Sequence, residues 1–303
     1  MVDESSRQIT LMVVGGVAGS VAKTAVAPFE RLRIMAQTGN GSKSMFGTAR
    51  VILDKEGPVG LWRGNLVNCL RVFPSRGILF SCNDYYKLLL VRTFMNDSYQ
   101  VRDGTVWTED GMPVSLPSWI SFGAGSIAGM TACGATYPLD VARTRMTGRI
   151  ISSGKEGRLF HTLASMAKQE GFRSWYRGIW PTLLGSIPYE GVKFSVYDAC
   201  VSSGSPLIDP SNSVLLKLTS GAIGGAAAGL FMFPNDTVRR LMQMEGRGGQ
   251  VELYKNSLDC YRKLYKSEGV ARFYKGLVPY LVRMAPNSAI QFTVYETLKS
   301  KLL

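Results

Sequence analysis

The chain is short of the side chains on which most chemistry at neutral pH depends. It has a single histidine, His161, among 303 residues. His161 sits beside Phe160 in a basic stretch, where a surface position is expected, and no second histidine exists to complete an acid–base or metal pair. Five cysteines, Cys69, Cys82, Cys133, Cys200 and Cys260, fall at no paired spacing and mostly inside apolar runs. They read as small buried thiols, with neither disulfides nor a metal site expected. The run Gly19-Ser20-Val21-Ala22-Lys23-Thr24 lacks the spacing of a phosphate loop, and no strand precedes it. The N-terminal Met1 to Gln8 is short, polar and slightly acidic, unlike a cleavable leader, so targeting is expected to lie within the mature chain. An enzyme is therefore not expected, and no cofactor or metal is implied.

Acid is scarce as well. With 35 Lys and Arg against 22 Asp and Glu, the formal net charge is +13 and the isoelectric point about 9.6. In a soluble chain that balance points to nucleic acid, but the apolar runs argue against such a partner. Ser118 to Pro138 carries no charge, Thr10 to Pro28 only Lys23, and Val214 to Pro234 only Lys217. Each is about the twenty residues that a membrane-spanning helix needs. Three further segments, Gly64 to Tyr86, Gly178 to Tyr197 and Gly276 to Tyr295, are apolar but broken by single polar residues. That is the pattern of helices with one face on a wet cavity, and it accounts for a mean hydropathy of only +0.05.

What the chain does hold is one stretch used three times: Pro28-Phe29-Glu30-Arg31-Leu32-Arg33, Pro138-Leu139-Asp140-Val141-Ala142-Arg143 and Pro234-Asn235-Asp236-Thr237-Val238-Arg239. The prolines lie 110 and 96 residues apart, which divides the chain into three repeats of roughly one hundred residues. Proline inside a helix removes a backbone hydrogen bond and bends it, and acid and base at i and i+3 share a face. Three such helices round an axis let each acid meet the base of the next. The expected pairs are Glu30 with Arg143, Asp140 with Arg239, and Asp236 with Arg33. The plainer alternative, three separate helix starts with solvated charges, does not suit the long apolar segments that precede the prolines.

The expected architecture is all-α and membrane-embedded. Six transmembrane helices form three pseudosymmetric two-helix repeats, about 7–95, 116–203 and 213–302, in one domain over 1–303, each repeat with a short amphipathic helix after its basic loop. Six spans set both termini on one side. Loops 38–60, 148–173 and 244–272 are rich in Lys and Arg, whereas Asn96 to Pro117 sets Arg102 against Asp97, Asp103, Glu109 and Asp110. Basic loops favour the inner face, so the termini are expected opposite them. Glycines four apart, Gly15 and Gly19, Gly125 and Gly129, Gly225 and Gly229, predict close helix contacts.

A second block also recurs, from Glu56-Gly57 to Trp62-Arg63-Gly64, from Glu170-Gly171 to Tyr176-Arg177-Gly178, and from Glu268-Gly269 to Tyr274-Lys275-Gly276. An aromatic ring, a base and free N–H groups at a helix start suit an anionic lipid headgroup; a simple interfacial anchor is the alternative. A third pattern ends the even-numbered spans: Asp84 with Lys87, Asp198 with Val201, Glu296 with Lys299. With Val201 in place of a cation, two ion pairs at most are expected there.

Together the three two-span repeats, the P-x-[DE]-x-x-[RK] motif and the aromatic–base–glycine block resemble the mitochondrial carrier family over essentially the whole chain. The resemblance implies a six-helix bundle with threefold pseudosymmetry and a central substrate site. It also implies the mitochondrial inner membrane, with the basic loops and short helices in the matrix and both termini on the intermembrane-space side. It makes Glu30, Arg33, Asp140, Arg143, Asp236 and Arg239 a matrix gate braced by Gln37 and Gln243, with Thr147 at the middle brace position. Asp84, Lys87, Asp198, Glu296 and Lys299 become a cytoplasmic gate, and cardiolipin the expected lipid at the second block. A cavity within one chain needs no second copy, so a monomer is expected.

Three residues before each even-span proline stand Arg71, Gly185 and Arg283, related positions whose different side chains would read an asymmetric substrate. Lys23 adds a fourth polar handle from the first span. Buried cations of this kind call for an anion to neutralise them, and the guanidinium fork suits phosphate. Gly185 and Ser186 leave a slot for a flat ring, on which Tyr189 can stack. The alternative is that Lys23 or Arg283 simply pairs with Glu190. Lys23-Thr24-Ala25-Val26-Ala27-Pro28 with Glu30-Arg31 is similar to the first helix of the ADP/ATP and coenzyme A carriers, whose matching lysine and arginine contact phosphates. The chain departs from the ADP/ATP carriers at Arg239-Arg240-Leu241-Met242-Gln243-Met244, and from the ATP-Mg/phosphate carriers in lacking a calcium-binding extension. The expected function is exchange of coenzyme A or adenosine phosphates by alternating access. The alternative is a carrier for another anionic metabolite: phosphate, a carboxylate or another nucleotide.

Overall fold

The computed structural model describes residues 4–42, 44–95, 99–102, 105–108, 113–114, 117–150, 159–204, 213–245 and 253–302. Six long helices dominate them: α1 (Glu4–Thr38), α3 (Asn65–Phe94), α4 (Ser118–Thr147), α6 (Ile179–Gly204), α7 (Ser213–Met244) and α9 (Leu277–Leu302). Three short ones, α2 (Met45–Glu56), α5 (Leu159–Glu170) and α8 (Ser257–Glu268), follow the odd-numbered long helices of each repeat. Pro28, Pro74, Pro138, Pro188, Pro234 and Pro286 all lie inside helices that continue past them.

The second repeated block is a backbone specification. Gly57, Gly171 and Gly269 take φ of 73°, 79° and 70°, and Gly64, Gly178 and Gly276 take 81°, 80° and 92°. A side chain is strained in that region. The first glycine of each pair stops the short helix, a single 3-10 turn follows (Pro58–Trp62, Phe172–Tyr176, Val270–Tyr274), and the second glycine releases the chain into the next long helix.

Even α6 and α9, at 26 residues each, reach about 39 Å at the helical rise, beyond the ~30 Å of a hydrocarbon core. Among the described residues, however, no helix is apolar enough over that length to read as a membrane crossing. The charges of the repeated motifs lie inside these helices, and glycine, serine and threonine dilute the rest. The expectation of six spans drawn from Ser118 to Pro138 and its counterparts is thus not met by apolarity alone.

The chain separates into two compact units, residues 1–69 with 140–303, and residues 70–139. In the smaller unit the Tyr86 hydroxyl lies 3.2 Å from Thr131 Oγ1 and Phe94 meets Trp119 edge-on. This unit also holds a feature the all-α expectation lacks. Strands β1 (Tyr99–Arg102), β2 (Thr105–Thr108) and β3 (Pro113–Val114) form an antiparallel sheet in that order, with Tyr99 opposite Thr108 and Val106 opposite Val114.

In the larger unit α6 packs along α7 and α1 along α9. Two of the short helices, α2 and α8, seat on the ends of the long helices before them. Leu32, Met35 and Ile52 form one buried cluster, and Val238, Met242, Cys260, Leu264 and Phe273 another. The glycine pairs act unevenly. A Cβ at Gly229 would run into the Tyr280 hydroxyl, whereas Gly15, Gly19 and Gly129 face open space. The close contact between α6 and α7 is instead made at Gly224, whose Cβ would stand 2.6 Å from the Lys193 carbonyl. Of the cysteines only Cys260 is buried; Cys69, Cys82, Cys133 and Cys200 are partly exposed.

Candidate ion-pair ring and cavity

At the ends of α1, α4 and α7 the motif acids meet bases from neighbouring copies. Arg143 Nη2 is 3.3 Å from Glu30 Oε1, Arg239 Nη2 is 2.7 Å from Asp140 Oδ2, and Arg33 Nη2 is 2.7 Å from Asp236 Oδ2. These are the three cross-repeat pairs that the spacing predicts. Gln37 Nε2 donates to Asp236 Oδ2 and Gln243 Nε2 to Asp140 Oδ2, both at 2.9 Å. Thr147 braces no carboxylate; its hydroxyl donates 2.7 Å back to the Arg143 carbonyl.

Two further cations join the ring. Arg240 Nη1 contacts Asp140 Oδ2 at 3.4 Å, Thr144 Oγ1 at 2.7 Å and Gln243 Oε1 at 3.0 Å, while its Nε lies 4.0 Å from Asp236. Arg283, expected at the substrate site, pairs with Glu30. The side chain of Glu190, its alternative partner, lies outside the described ones. Five guanidinium groups therefore share three carboxylates, an excess of two positive charges among the described side chains. The Arg239-Arg240 doublet carried the signal for the first of these; for the second, the register three residues before Pro286 placed Arg283 at the cavity but not against Glu30.

Above the ring a cavity of about 360 Å³ opens between α6, α7 and α9. Gly185, Ser186, Tyr189 and Arg283 line it together, as do Arg33, Asp236 and Arg239 of the ring. Thr182, Met232, Asn235 and Tyr280 on its wall had not been anticipated. Tyr280 lies beneath both Arg33 and Arg283, their guanidinium carbons 4.4 and 5.7 Å from its ring centre, and Asn235 reaches across to α6. Lys23 is half-buried on α1 and is not part of this lining, because α1 supplies the wall only through Arg33 near its other end. Arg71 is half-buried on α3 in the smaller unit.

The glutamates of the second block are held by a different set of arginines. Arg31, fully buried, grips Glu56 through two bonds of 2.8 Å and also donates to the Gly60 carbonyl. Arg145 grips Glu170 at 2.5 and 2.8 Å and donates to the backbone carbonyls of Gln243 and Glu245. Arg272 lies 3.1 Å from Glu268 and donates to the Gln37 carbonyl. The block's own bases are engaged too: Arg63 with Glu56 at 3.0 Å, Lys275 with Glu268 at 2.5 Å, and Arg177 with the Glu245 carbonyl at 3.4 Å. Trp62, Tyr176 and Tyr274 remain exposed beside them, and Trp62 Nε1 donates to the Thr24 carbonyl. Next to the second copy is a cavity of about 720 Å³ lined by Arg173, Arg177, Gly178, Trp180 and Lys255.

Of the residues expected at the second charged ring, those on α9 are unpaired among the described residues: Glu296 is exposed, and neither it nor Lys299 makes an ion pair there. Asp84 and Lys87 lie on α3 in the smaller unit, and the side chain of Asp198 falls outside the described ones.

The family model for the mitochondrial carrier protein matches residues 5–94, 114–203 and 210–303. The chain belongs to the mitochondrial carrier family. Among its relatives, a mitochondrial adenine nucleotide transporter of Arabidopsis thaliana is 35% identical over 95% of this chain and 85% of its own length. The mitochondrial carrier protein CoAc1 of the same plant is 32% identical over 95% and 88%. A mitochondrial adenyl nucleotide antiporter of Mus musculus is 31% identical, covering 96% of this chain and 58% of that longer protein.

Proposed function

We propose that this mitochondrial carrier exchanges a phosphorylated adenine-type anion, coenzyme A or an adenosine phosphate, across the inner membrane. The observation that carries the reading is the cavity itself, walled by Arg33, Arg239 and Arg283 over a ring with two cations in excess. Buried positive charge of that kind is costly until an anion arrives, and guanidinium forks suit phosphate oxygens. Carriers whose names specify adenine and adenyl nucleotides stand among the relatives, which favours a nucleotide over a small carboxylate.

The same geometry supplies a mechanism. Glu30 is shared between Arg143 and Arg283. A phosphate that takes Arg283 leaves Glu30 on Arg143 alone, at 3.3 Å the longest of the three cross-repeat contacts. Substrate binding thereby weakens the ring from inside the cavity, and only such differential contact can drive a change of state. In this reading the ring is the matrix gate, Glu296 and Lys299 belong to the opposite gate, and both termini face the intermembrane space. All of 1–303 is one carrier domain, with six tilted spans whose charged faces turn inward. The aromatic–base–glycine copies take anionic lipid such as cardiolipin, the cations beside Tyr176 and Arg177 being the fullest set, and the working unit is one chain.

Purified protein in liposomes, loaded in turn with coenzyme A, ADP, ATP, AMP and adenosine 3′,5′-bisphosphate, tests the reading. Exchange of at least one of them, lost in Arg283→Ala, is expected. Exchange of phosphate or a carboxylate with none of the adenine compounds would overturn the substrate while leaving the carrier intact.

A further inference from the structure

Resting on that adenine reading, we infer that Asn235 is a specificity-determining residue that reads the amino edge of the base. It occupies the second position of the third motif, where the other copies carry Phe29 and Leu139. Of these three copies it alone carries an amide, and it does so on the cavity wall.

The amide is held in one orientation. Asn235 Nδ2 donates 2.6 Å to the Pro181 carbonyl on α6, and Asn235 Oδ1 accepts from the Tyr261 hydroxyl on α8 at 3.0 Å. A carbonyl can only accept, so Pro181 settles which end of the amide is nitrogen and prevents a flip. Gly185 makes this reach possible, since a Cβ there would run into Asn235 Nδ2. The expected ring slot at Gly185 and the amide of Asn235 are therefore built against each other.

The partners use one of the two Nδ2 hydrogens and one of the two Oδ1 lone pairs. One donor and one acceptor of the same rigid group remain. The aliphatic hydroxyls beside it commit their protons to the helix backbone, Ser186 donating to the Thr182 carbonyl at 2.8 Å and Thr182 to the Gly178 carbonyl at 3.0 Å. A locked amide with a spare donor and acceptor complements adenine, whose exocyclic amine donates beside a ring nitrogen that accepts. Hypoxanthine places a carbonyl oxygen where that amine stands, directly against Oδ1, and the amide cannot turn to suit it.

The test is competitive uptake of ADP against inosine diphosphate in liposomes, with the same ratio read by thermal shift on the purified proteins. Wild type is expected to favour ADP by on the order of tenfold. Asn235→Leu, which restores the apolar character of the other copies, and Asn235→Ala, which removes the amide altogether, should bring the ratio close to one. Tyr261→Phe removes the bond behind the amide and should leave the preference for ADP in place, which separates base reading from support of α8. Thermal shift reports the ratio for a variant that binds without transporting, and Asn235→Ala serves if the leucine variant does not fold. An unchanged preference in both Asn235 variants overturns the inference, as does a wild type that takes both nucleotides equally. A wild type that takes neither overturns the adenine reading itself.

Discussion

The two ends of the odd and even helices carry acid and base at the same i, i+3 spacing, yet they behave differently. At the motif end Asp140 is almost wholly buried and holds Arg239, Arg240 and Gln243. On α9, Glu296 and Lys299 have the same spacing, but Glu296 stands exposed and forms no ion pair among the described residues. Spacing places charges on one face; burial is what obliges them to pair. A carboxylate in the interior that loses its partners has nowhere to shed its charge, whereas an exposed one is already satisfied by water.

The largest break in that contrast should come from Asp140→Ala. It takes the carboxylate from Arg239 and Arg240 together and is expected to cost about 3–5 kcal/mol of stability, read as a fall in Tm of the purified carrier. Next is Gln243→Ala. It removes the amide's hydrogen bonds to Asp140, Arg240 and Thr144 but leaves both ion pairs of Asp140 in place, and should lower Tm by less than Asp140→Ala does. A glutamine variant as damaging as the aspartate variant would mean that the ring is held by its amides. Burial can be read separately at Cys260, where desolvation pushes the thiol up to about 12. Its thiolate is scarce at pH 8, so maleimide should modify the four partly exposed cysteines and leave Cys260 until the protein unfolds. The shift also gives a sign: a thiol raised in the folded state adds stability that is full below its ordinary value near 9 and fades as pH climbs toward the folded value. The smallest effect is expected from Glu296→Ala, which should leave Tm unchanged within error.

Much of this was legible in the residues. Three prolines, three acids and three bases predicted which side chains would meet across up to two hundred residues of chain, because a repeat places equivalent residues at equivalent depth. The glycines of the second block were legible as a spacing, though their reason, a left-handed backbone at both ends of a 3-10 turn, appears only in the structure. What escaped was whatever broke the repeat. Glu56, Glu170 and Glu268 look alike in sequence, but Arg31, Arg145 and Arg272 hold them from three unrelated positions. Arg283 was expected at the cavity, with Glu190 as its alternative partner; it lines the cavity and pairs with Glu30. Lys23 was expected at the cavity and is not in its lining. The β1–β2 hairpin did leave a signal, alternating Tyr99, Val101, Val106 and Thr108 about Asp103-Gly104, a turn pair suited to a two-residue hairpin, but it lies in a stretch whose charges read as a loop.

The central claim, that the motif-end ring is the gate and is held by specific cross-repeat pairs, is most directly tested by reversing one pair. Adenine-nucleotide exchange in liposomes should be lost in Arg33→Asp and in Asp236→Arg alone, and should return in part when both changes are combined. Wild-type exchange in either single variant would contradict the account.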